Sequence, residues 1–466
     1  MLTMTIDGED AKGSGSFDVI NPATGRVIDQ APTCSAEELD QAMAAAARAY
    51  PAWAADAATR VSALGALADA IMASSDELTA LLISETGKPG MVAGSEPAIC
   101  AAWLGYYAGL EVPRETIQDN EQALIEVAYR PLGVVAAITP WNFPLGLAMW
   151  KLAPALRAGN TVVLKPSPFT PLATLRLGQV MNELLPPGVL NVVTGGDELG
   201  AAMTSHPTPR KISLTGSIAA GKNVASAAAL DLKRVTLELG GNDAAILLDD
   251  IDVAEVAARL VPVALFNTGQ ACALPKRVFA PASIYDDVVE AFAAVARSMP
   301  VGPPEQTDVA LGPLSTGPQF ARVIELVAEA LDRGALAATG GHRVDGPGYF
   351  FEPTVLANPD PASRIVVEEQ FGPVVPVLAY NDLDEAVIRA NDTTFGLCGS
   401  AWGTDVERAK AVAERLECGS TFVNTHAALQ FDVPFAGAKW SGLGVENGLP
   451  GLLSFAESQV VHTARQ

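Results

Sequence analysis

The sequence predicts an α/β protein whose sheets are largely parallel and covered by helices, and three observations carry that expectation. From Tyr129 onward, short apolar runs bounded by Gly and Pro alternate with stretches of helical periodicity, the pattern of strand–helix–strand units. At 466 residues the chain exceeds one ordinary domain and has apolar material for two or three cores. No low-complexity tether and no internal repeat interrupts it, so any domains must be interlaced in sequence.

Near the start, Ser35-Ala36-Glu37-Glu38 has the form of a capping box, and the helix it opens carries Leu39, Met43, Ala46 and Tyr50 on one face. One longer helix is expected next, through Val61, Leu64, Ala68, Ile71, Met72, Leu78, Leu81 and Leu82, stopped by Gly87-Lys88-Pro89. These opening helices read as scaffold without evident chemistry. Strands are then expected at 133–138, 161–165, 189–193, 211–215, 235–239 and 244–248, with helices at 146–156 and 172–184. A doubly wound unit binds ligands at the carboxyl ends of its strands, where Lys165 and Gly216-Ser217 fall. A second α/β region begins near Gly240. In it Asp252-Val253-Ala254-Glu255 opens a helix through Val256, Leu260, Val263 and Ala264 that leads into Cys272. Strands at 277–279, 373–378 and 420–423 and helices at 285–299 and 386–390 complete it.

Composition excludes several functions. With 53 acidic against 30 basic side chains the surface repels phosphate backbones, so no nucleic-acid partner is expected. Every long apolar run is broken by charge, Gly or Pro, which argues against a membrane-spanning helix, and the acidic N-terminus does not have the form of a secretory leader. Cys34, Cys100, Cys272, Cys398 and Cys418 form neither a disulfide framework nor a paired metal-ligand spacing, and a cytoplasmic setting is expected. His206, His342, His426 and His462 fit no ligand pattern, so no metal is expected.

The run Phe266-Asn267-Thr268-Gly269-Gln270-Ala271-Cys272 sets one cysteine among polar residues and glycine, directly after an apolar helix. A lone cysteine is more often a packing residue than a nucleophile. Attack on a carbonyl needs a partly exposed thiol in a setting that favours its anion. Two companions shift the balance: Glu238 in Leu237-Glu238-Leu239-Gly240-Gly241, and Asn142 in the rigid turn Pro140-Trp141-Asn142-Phe143-Pro144. Alone, Asn142 would suit a turn beside two prolines and Glu238 an exposed ion pair. Together with Cys272 they name a nucleophile, a base and an oxyanion donor.

In this order and spacing the three motifs resemble the NAD(P)-dependent aldehyde dehydrogenase superfamily. The likeness extends to Ser84-Glu85-Thr86-Gly87-Lys88-Pro89, Lys165-Pro166-Ser167-Pro168, Thr215-Gly216-Ser217, Glu369-Gln370-Phe371-Gly372-Pro373, and Pro434-Phe435 followed by Lys439-Trp440-Ser441-Gly442, and so covers nearly the whole chain. It implies a Rossmann-like cofactor domain from 1–119 and 133–239 and an α/β catalytic domain from 240–432. It also implies a small strand-built oligomerisation arm from 120–132 and 451–466, with 433–450 as a returning linker. The arm's open edge would be covered in a homodimer or homotetramer.

The resemblance also implies roles. Cys272 would attack the aldehyde, and the Asn142 amide and the Cys272 N–H would hold the oxyanion. Glu238, its pKa raised by apolar neighbours, would activate water to release the acid. Thr139, Trp141, Lys165, Ser167, Pro168, Gly216, Ser217, Glu369 and Phe371 would bind NAD, with Lys165 on ribose hydroxyls and Gly216-Ser217 on the pyrophosphate. Lys151 and Glu446 would relay protons, unless they form a plain interdomain salt bridge. Phe143, Trp150, Phe266, Leu274 and Phe435 would line a pocket for an aromatic or medium-chain aliphatic aldehyde, unless they are ordinary core. Pro168 stands where many NAD-preferring relatives carry an acid, which removes a ribose grip and opens the site to NADP. Leu274 stands where Ala is usual, and Ile218 where Thr is usual. Family members that pass the acyl group to coenzyme A lack a residue like Glu238, so hydrolysis is favoured. Retention of Cys272, Glu238 and Asn142 argues against a catalytically silent binding protein.

Overall fold

Strands built almost wholly from Val, Ile, Leu and Ala suit burial on both faces, the environment of a parallel sheet sandwiched by helices, and two such sheets organise the chain. The computed structural model describes residues 1–465; residue 466, the end of the expected arm, lies outside the described residues. Across the first sheet run Gly442–Leu443, Arg234–Glu238, Lys211–Thr215, Val134–Ile138, Thr161–Lys165, Leu190–Val192, Met4–Ile6 and Glu9–Ala11. Its central strands are parallel. The chain moves from Val134–Ile138 first to one side and then to the other, so a crevice opens at the carboxyl ends of Val134–Ile138 and Lys211–Thr215.

The second sheet runs Leu336–Thr339, Thr354–Ala357, Val374–Tyr380, Pro275–Pro281, Asp243–Leu247, Cys398–Trp402 and Ser420–Val423. Only its first pair is antiparallel. A three-stranded antiparallel sheet stands apart: Ala456–Ala464 pairs with Ala123–Pro131, which pairs with Arg114–Asp119.

The fold class is the one the sequence predicts, and Thr161–Lys165, Lys211–Thr215 and Ser420–Val423 begin and end where expected. Ser35 accepts from Glu38 N at 3.1 Å while the Glu38 carboxylate accepts from Ser35 N at 2.8 Å, completing the capping box. Gly87 ends its helix with a left-handed φ of 72°. One expectation is corrected. The single long helix through 61–82 is two, Ala57–Ala73 and Ser75–Thr86, broken at Ser74. Ser74 N–H closes the first helix, and Asp76 and Glu77 supply the acidic first turn of the second, while the apolar spacing runs through the joint and hides it.

The strands Met4–Ile6 and Glu9–Ala11, the hairpin Gly15–Asn21/Arg26–Thr33, the strand Arg114–Asp119 and the helix Gly90–Gly109 went unforeseen. Those strands are short or carry mostly exposed residues, and the helix is punctuated by Gly94, Pro97 and Gly105. No described helix is long and apolar enough to cross a membrane.

Candidate active site

The Val253–Ala264 helix, capped by the Asp252 side chain, gives way to a tight turn at Phe266–Gly269. Asn267 and Thr268 hold φ of 50° and 58°, a left-handed backbone uncommon outside glycine. Gly269 follows at φ 72°, and a Cβ there would stand 2.1 Å from the Gly372 carbonyl oxygen, so the turn packs backbone against backbone on the 369–373 loop. Gln270 locks it: its side chain donates to Asn267 O at 3.0 Å and accepts from Ser315 N at 2.8 Å. Cys272 leaves this turn partly exposed. Asn142, buried in the turn before the Pro144–Ala158 helix, donates one amide hydrogen to Gln270 O at 3.0 Å. Its second amide hydrogen is left for the cleft that both residues line. Burial pushes the Cys272 thiol up to about 12; Lys276 opposes the rise, and the Glu369, Glu238 and Asp243 carboxylates add to it. The anion-favouring setting expected from the sequence is therefore not that of the resting site.

Glu238 ends the Arg234–Glu238 strand in register with Thr215. It is 3% exposed, and neither carboxylate oxygen has a hydrogen-bond partner among the described residues. Burial raises its pKa well above the ordinary range, with Glu446 adding to the rise and Lys151 opposing it. Lys151 Nζ donates to Glu446 Oε1 at 2.7 Å and to Thr215 Oγ1 at 2.8 Å, and Ser213 Oγ donates to Glu446 Oε1 at 3.3 Å. A polar path thus runs from Glu446 through Lys151 to the strand neighbour of Glu238.

Trp141, Gly216, Ser217, Glu369 and Phe371 line the same cleft as Cys272 and Asn142, with a volume of about 580 Å³. Ser217 caps the Ile218–Leu230 helix, accepting from Ala220 N at 3.2 Å, so a helix N-terminus faces the cleft. Trp141 and Phe371 meet edge to face at 5.4 Å. Glu369 accepts from Gly241 N at 3.0 Å and lies 3.8 Å from Lys276 Nζ. At the end of the neighbouring strand, Lys165 is buried with one hydrogen-bond partner among the described residues, Pro166 O at 3.4 Å. Burial lowers its pKa to about 8, against the pull of Asp197. Thr139 N donates to Lys165 O at 3.0 Å, while its buried hydroxyl has no partner among the described residues. Ser167 Oγ accepts from Phe169 N at 3.3 Å, and Pro168 beside it is half-buried. An under-satisfied ammonium and hydroxyl at the strand ends, a helix N-terminus and two flat rings fit the hydroxyls, pyrophosphate and ring of a dinucleotide. Among the described residues no group of three or more His, Cys, Asp or Glu is placed to hold a metal.

None of the five aldehyde-pocket candidates lines that cleft. Phe143 and Phe266 stack at 6.1 Å, and Trp150 meets Phe435 at 5.5 Å and Trp103 at 5.8 Å. Leu274 is 2% exposed, which sets its bulk in packed interior. Trp103, Tyr106 and Phe431 extend the aromatic group and were not singled out from sequence, although Trp103, Tyr106 and Tyr107 follow helical spacing. Lys88, Glu96, Gln270, Lys276 and Thr215 also hold the site and were given no role. An isolated Glu96 inside an apolar run was the available signal.

The model of the aldehyde dehydrogenase family matches residues 9–461. Aldehyde dehydrogenase LUC3 of a Fusarium species is 40% identical over 460 residues, which cover 98% of this chain and 97% of that protein. Lactaldehyde dehydrogenase of Escherichia coli is 37% identical over 468 residues, 98% of each. The crystal structure of the latter matches with a TM-score of 0.95, covering 100% of this chain and 99% of its own. Betaine aldehyde dehydrogenase of Staphylococcus aureus, solved in complex with NAD+, matches with a TM-score of 0.95 at 33% identity, covering 100% of this chain and 95% of its own.

Proposed function

The chain belongs to the aldehyde dehydrogenase family, and from that premise we propose that it oxidises an aromatic or medium-chain aliphatic aldehyde to the carboxylic acid with NAD as hydride acceptor. The supporting observation is that Cys272, Asn142, Gly216, Ser217, Glu369 and Phe371 line one cleft. Cys272 Sγ attacks the carbonyl carbon, and its proton passes to solvent water in the cleft as the C–S bond forms and the carbonyl π bond breaks to leave the oxyanion. The oxyanion accepts from Cys272 N–H and from the second Asn142 amide hydrogen, each donor worth on the order of 3 kcal/mol in the transition state. When bound, NAD supplies the acceptor for the hydride that leaves this carbon.

The thioester on Cys272 is then hydrolysed: Glu238 takes a proton from water, the water oxygen attacks the acyl carbon, and the C–S bond breaks to release acid. Burial and the Glu446 carboxylate raise the Glu238 pKa, and the proton it takes from water leaves by the Lys151–Glu446 path that ends at its strand neighbour Thr215. NADP is tolerated, because no carboxylate at Pro168 repels a 2′-phosphate. Leu147, Leu239 and Phe395, which line the cleft with Cys272, support an apolar aldehyde. The five free cysteines support a cytoplasmic setting, and the open edge of Ala456–Ala464 supports a homodimer or homotetramer built through the arm.

The test is Glu238→Gln in rapid mixing with aldehyde and NAD. We expect a burst of about one NADH per site, then a steady rate lower by ~10²-fold, because the amide keeps the size of the side chain but not its basicity. The acyl group should remain on the peptide containing Cys272, and added coenzyme A should not change the product of the unmodified enzyme. Normal turnover in the variant, or loss of the burst itself, would exclude Glu238 as the hydrolytic base.

A further inference from the structure

Two charges lie buried beside the site in a stretch whose helices read as scaffold. Lys88 follows the Ser75–Thr86 helix and Glu96 sits in Gly90–Gly109; they are 2% and 0% exposed and form an ion pair. Withdrawing two charges from water is costly unless their remaining donors and acceptors are used. Here they are used on one target. Lys88 Nζ donates to Asn142 O at 2.7 Å and lies 4.1 Å over the Phe143 ring. Glu96 Oε2 accepts from Leu145 N and Gly146 N at 3.0 Å each, capping a helix that has no side-chain cap of its own. The same segment reaches the nucleophile loop: Ser315 Oγ donates to Thr86 O at 2.6 Å, and Ser315 N to Gln270 Oε1 at 2.8 Å.

We propose that Lys88 and Glu96 are positioning residues that aim the Asn142 amide at the oxyanion. The inference rests on Asn142 being an oxyanion donor, as in the proposed function. Gln270 O holds one amide hydrogen of Asn142, and Lys88 pins the carbonyl of the same residue, so the direction of the second hydrogen is fixed from both ends. Neither Lys88 nor Glu96 lines the cleft. Their loss therefore raises the barrier to oxyanion formation without weakening substrate or cofactor binding.

The test is the NADH burst rate at saturating aldehyde and NAD for the unmodified enzyme, Lys88→Met, Lys88→Met/Glu96→Gln, Asn142→Ala and the triple variant. The double variant removes both charges, so no lone buried charge threatens folding. Lys88→Met and the double variant should each slow the burst by ~10- to 100-fold, with the NAD dissociation constant and the aldehyde KM within about twofold. Lys88→Arg should recover part of the rate. In the Asn142→Ala background the two further substitutions should cost nothing more, because their effect passes through Asn142. A full burst rate in the double variant, or losses that multiply in the triple variant, overturns the positioning role. If Asn142→Ala keeps the full burst while Cys272→Ala abolishes it, the oxyanion assignment falls and the positioning role falls with it. Absence of aldehyde-dependent NADH formation in the unmodified enzyme would instead overturn the proposed function.

Discussion

The proposed mechanism needs Cys272 and Glu238 each as an anion, yet burial disfavours the charge on both, and Glu446 and Glu369 add like charge nearby. A base whose pKa is raised works better as pH rises, so turnover limited by hydrolysis should climb with pH above the ordinary carboxylate range. Glu446 sets part of that rise. In Glu446→Gln the like charge is gone and the Lys151 ammonium, deprived of its partner, is left to face Glu238; both changes lower the Glu238 pKa. The ascending limb of steady-state kcat against pH should therefore move to lower pH, while the limb of the single-turnover burst, which reads Cys272, should move much less. A limb that stays in place or moves upward would separate Glu446 from Glu238. The residue types of this site were legible in the sequence, since Cys, Glu and Asn each stood in an unusual motif. The rise of the Glu238 pKa by burial and the pairing of Lys151 with Glu446 were expected as well; the like charge that Glu446 adds at Glu238, and Glu369 and Asp243 at Cys272, was not, because these groups come from far along the chain.

Turns place these residues more than strands or helices do. The parallel strands were readable because apolar runs between Gly and Pro leave little choice of boundary. The N-terminal strands were hidden by shortness or by exposed polar residues and Gly90–Gly109 by glycine and proline, and of the ion pair that this helix forms with Lys88 only Glu96, alone in an apolar run, left a local signal. The sharp joints at strand ends carry the chemistry. At Gly240, just past Arg234–Glu238, an added Cβ would stand 2.3 Å from Glu369 Oε2, the end of a side chain that can swing away. Gly240→Ala should therefore fold with nearly unchanged thermal stability but displace Glu369 from Gly241 N and from the cleft. KM for NAD should rise several-fold, by roughly 10-fold, with the aldehyde KM less affected, as loss of one positioned contact to the cofactor would give. An unchanged KM for NAD in the folded variant would show that Glu369 does not set the cofactor's place.

The proposed mechanism also requires the two large sheets to keep their register, because Asn142, Glu238 and Ser217 come from the first and the Cys272 loop from the second. The returning 433–450 segment stitches them. Gly442–Leu443 adds a strand beside Arg234–Glu238, Ser441 Oγ donates to Gly240 O at 2.7 Å, and Glu446 accepts from Lys151 Nζ. Beyond it the tail strand Ala456–Ala464 forms an edge with one side unpaired among the described residues, and Val460 on it is 66% exposed. Such an edge invites a second copy, and lysine on an edge strand is a common way of blocking one. Association must also overcome repulsion between chains of formal net charge −23, which salt screens over about 10 Å at 0.1 M. Val460→Lys should therefore lower the mass seen in sedimentation equilibrium, most clearly at high ionic strength, where repulsion is screened and the unmodified chain should assemble most fully. No cleft residue comes from the arm, so the NADH burst per site should survive dissociation. A mass unchanged by the substitution at both low and high salt would place the subunit interface on another face. A burst lost together with the assembly would mean that the register of the two sheets depends on the neighbouring subunit.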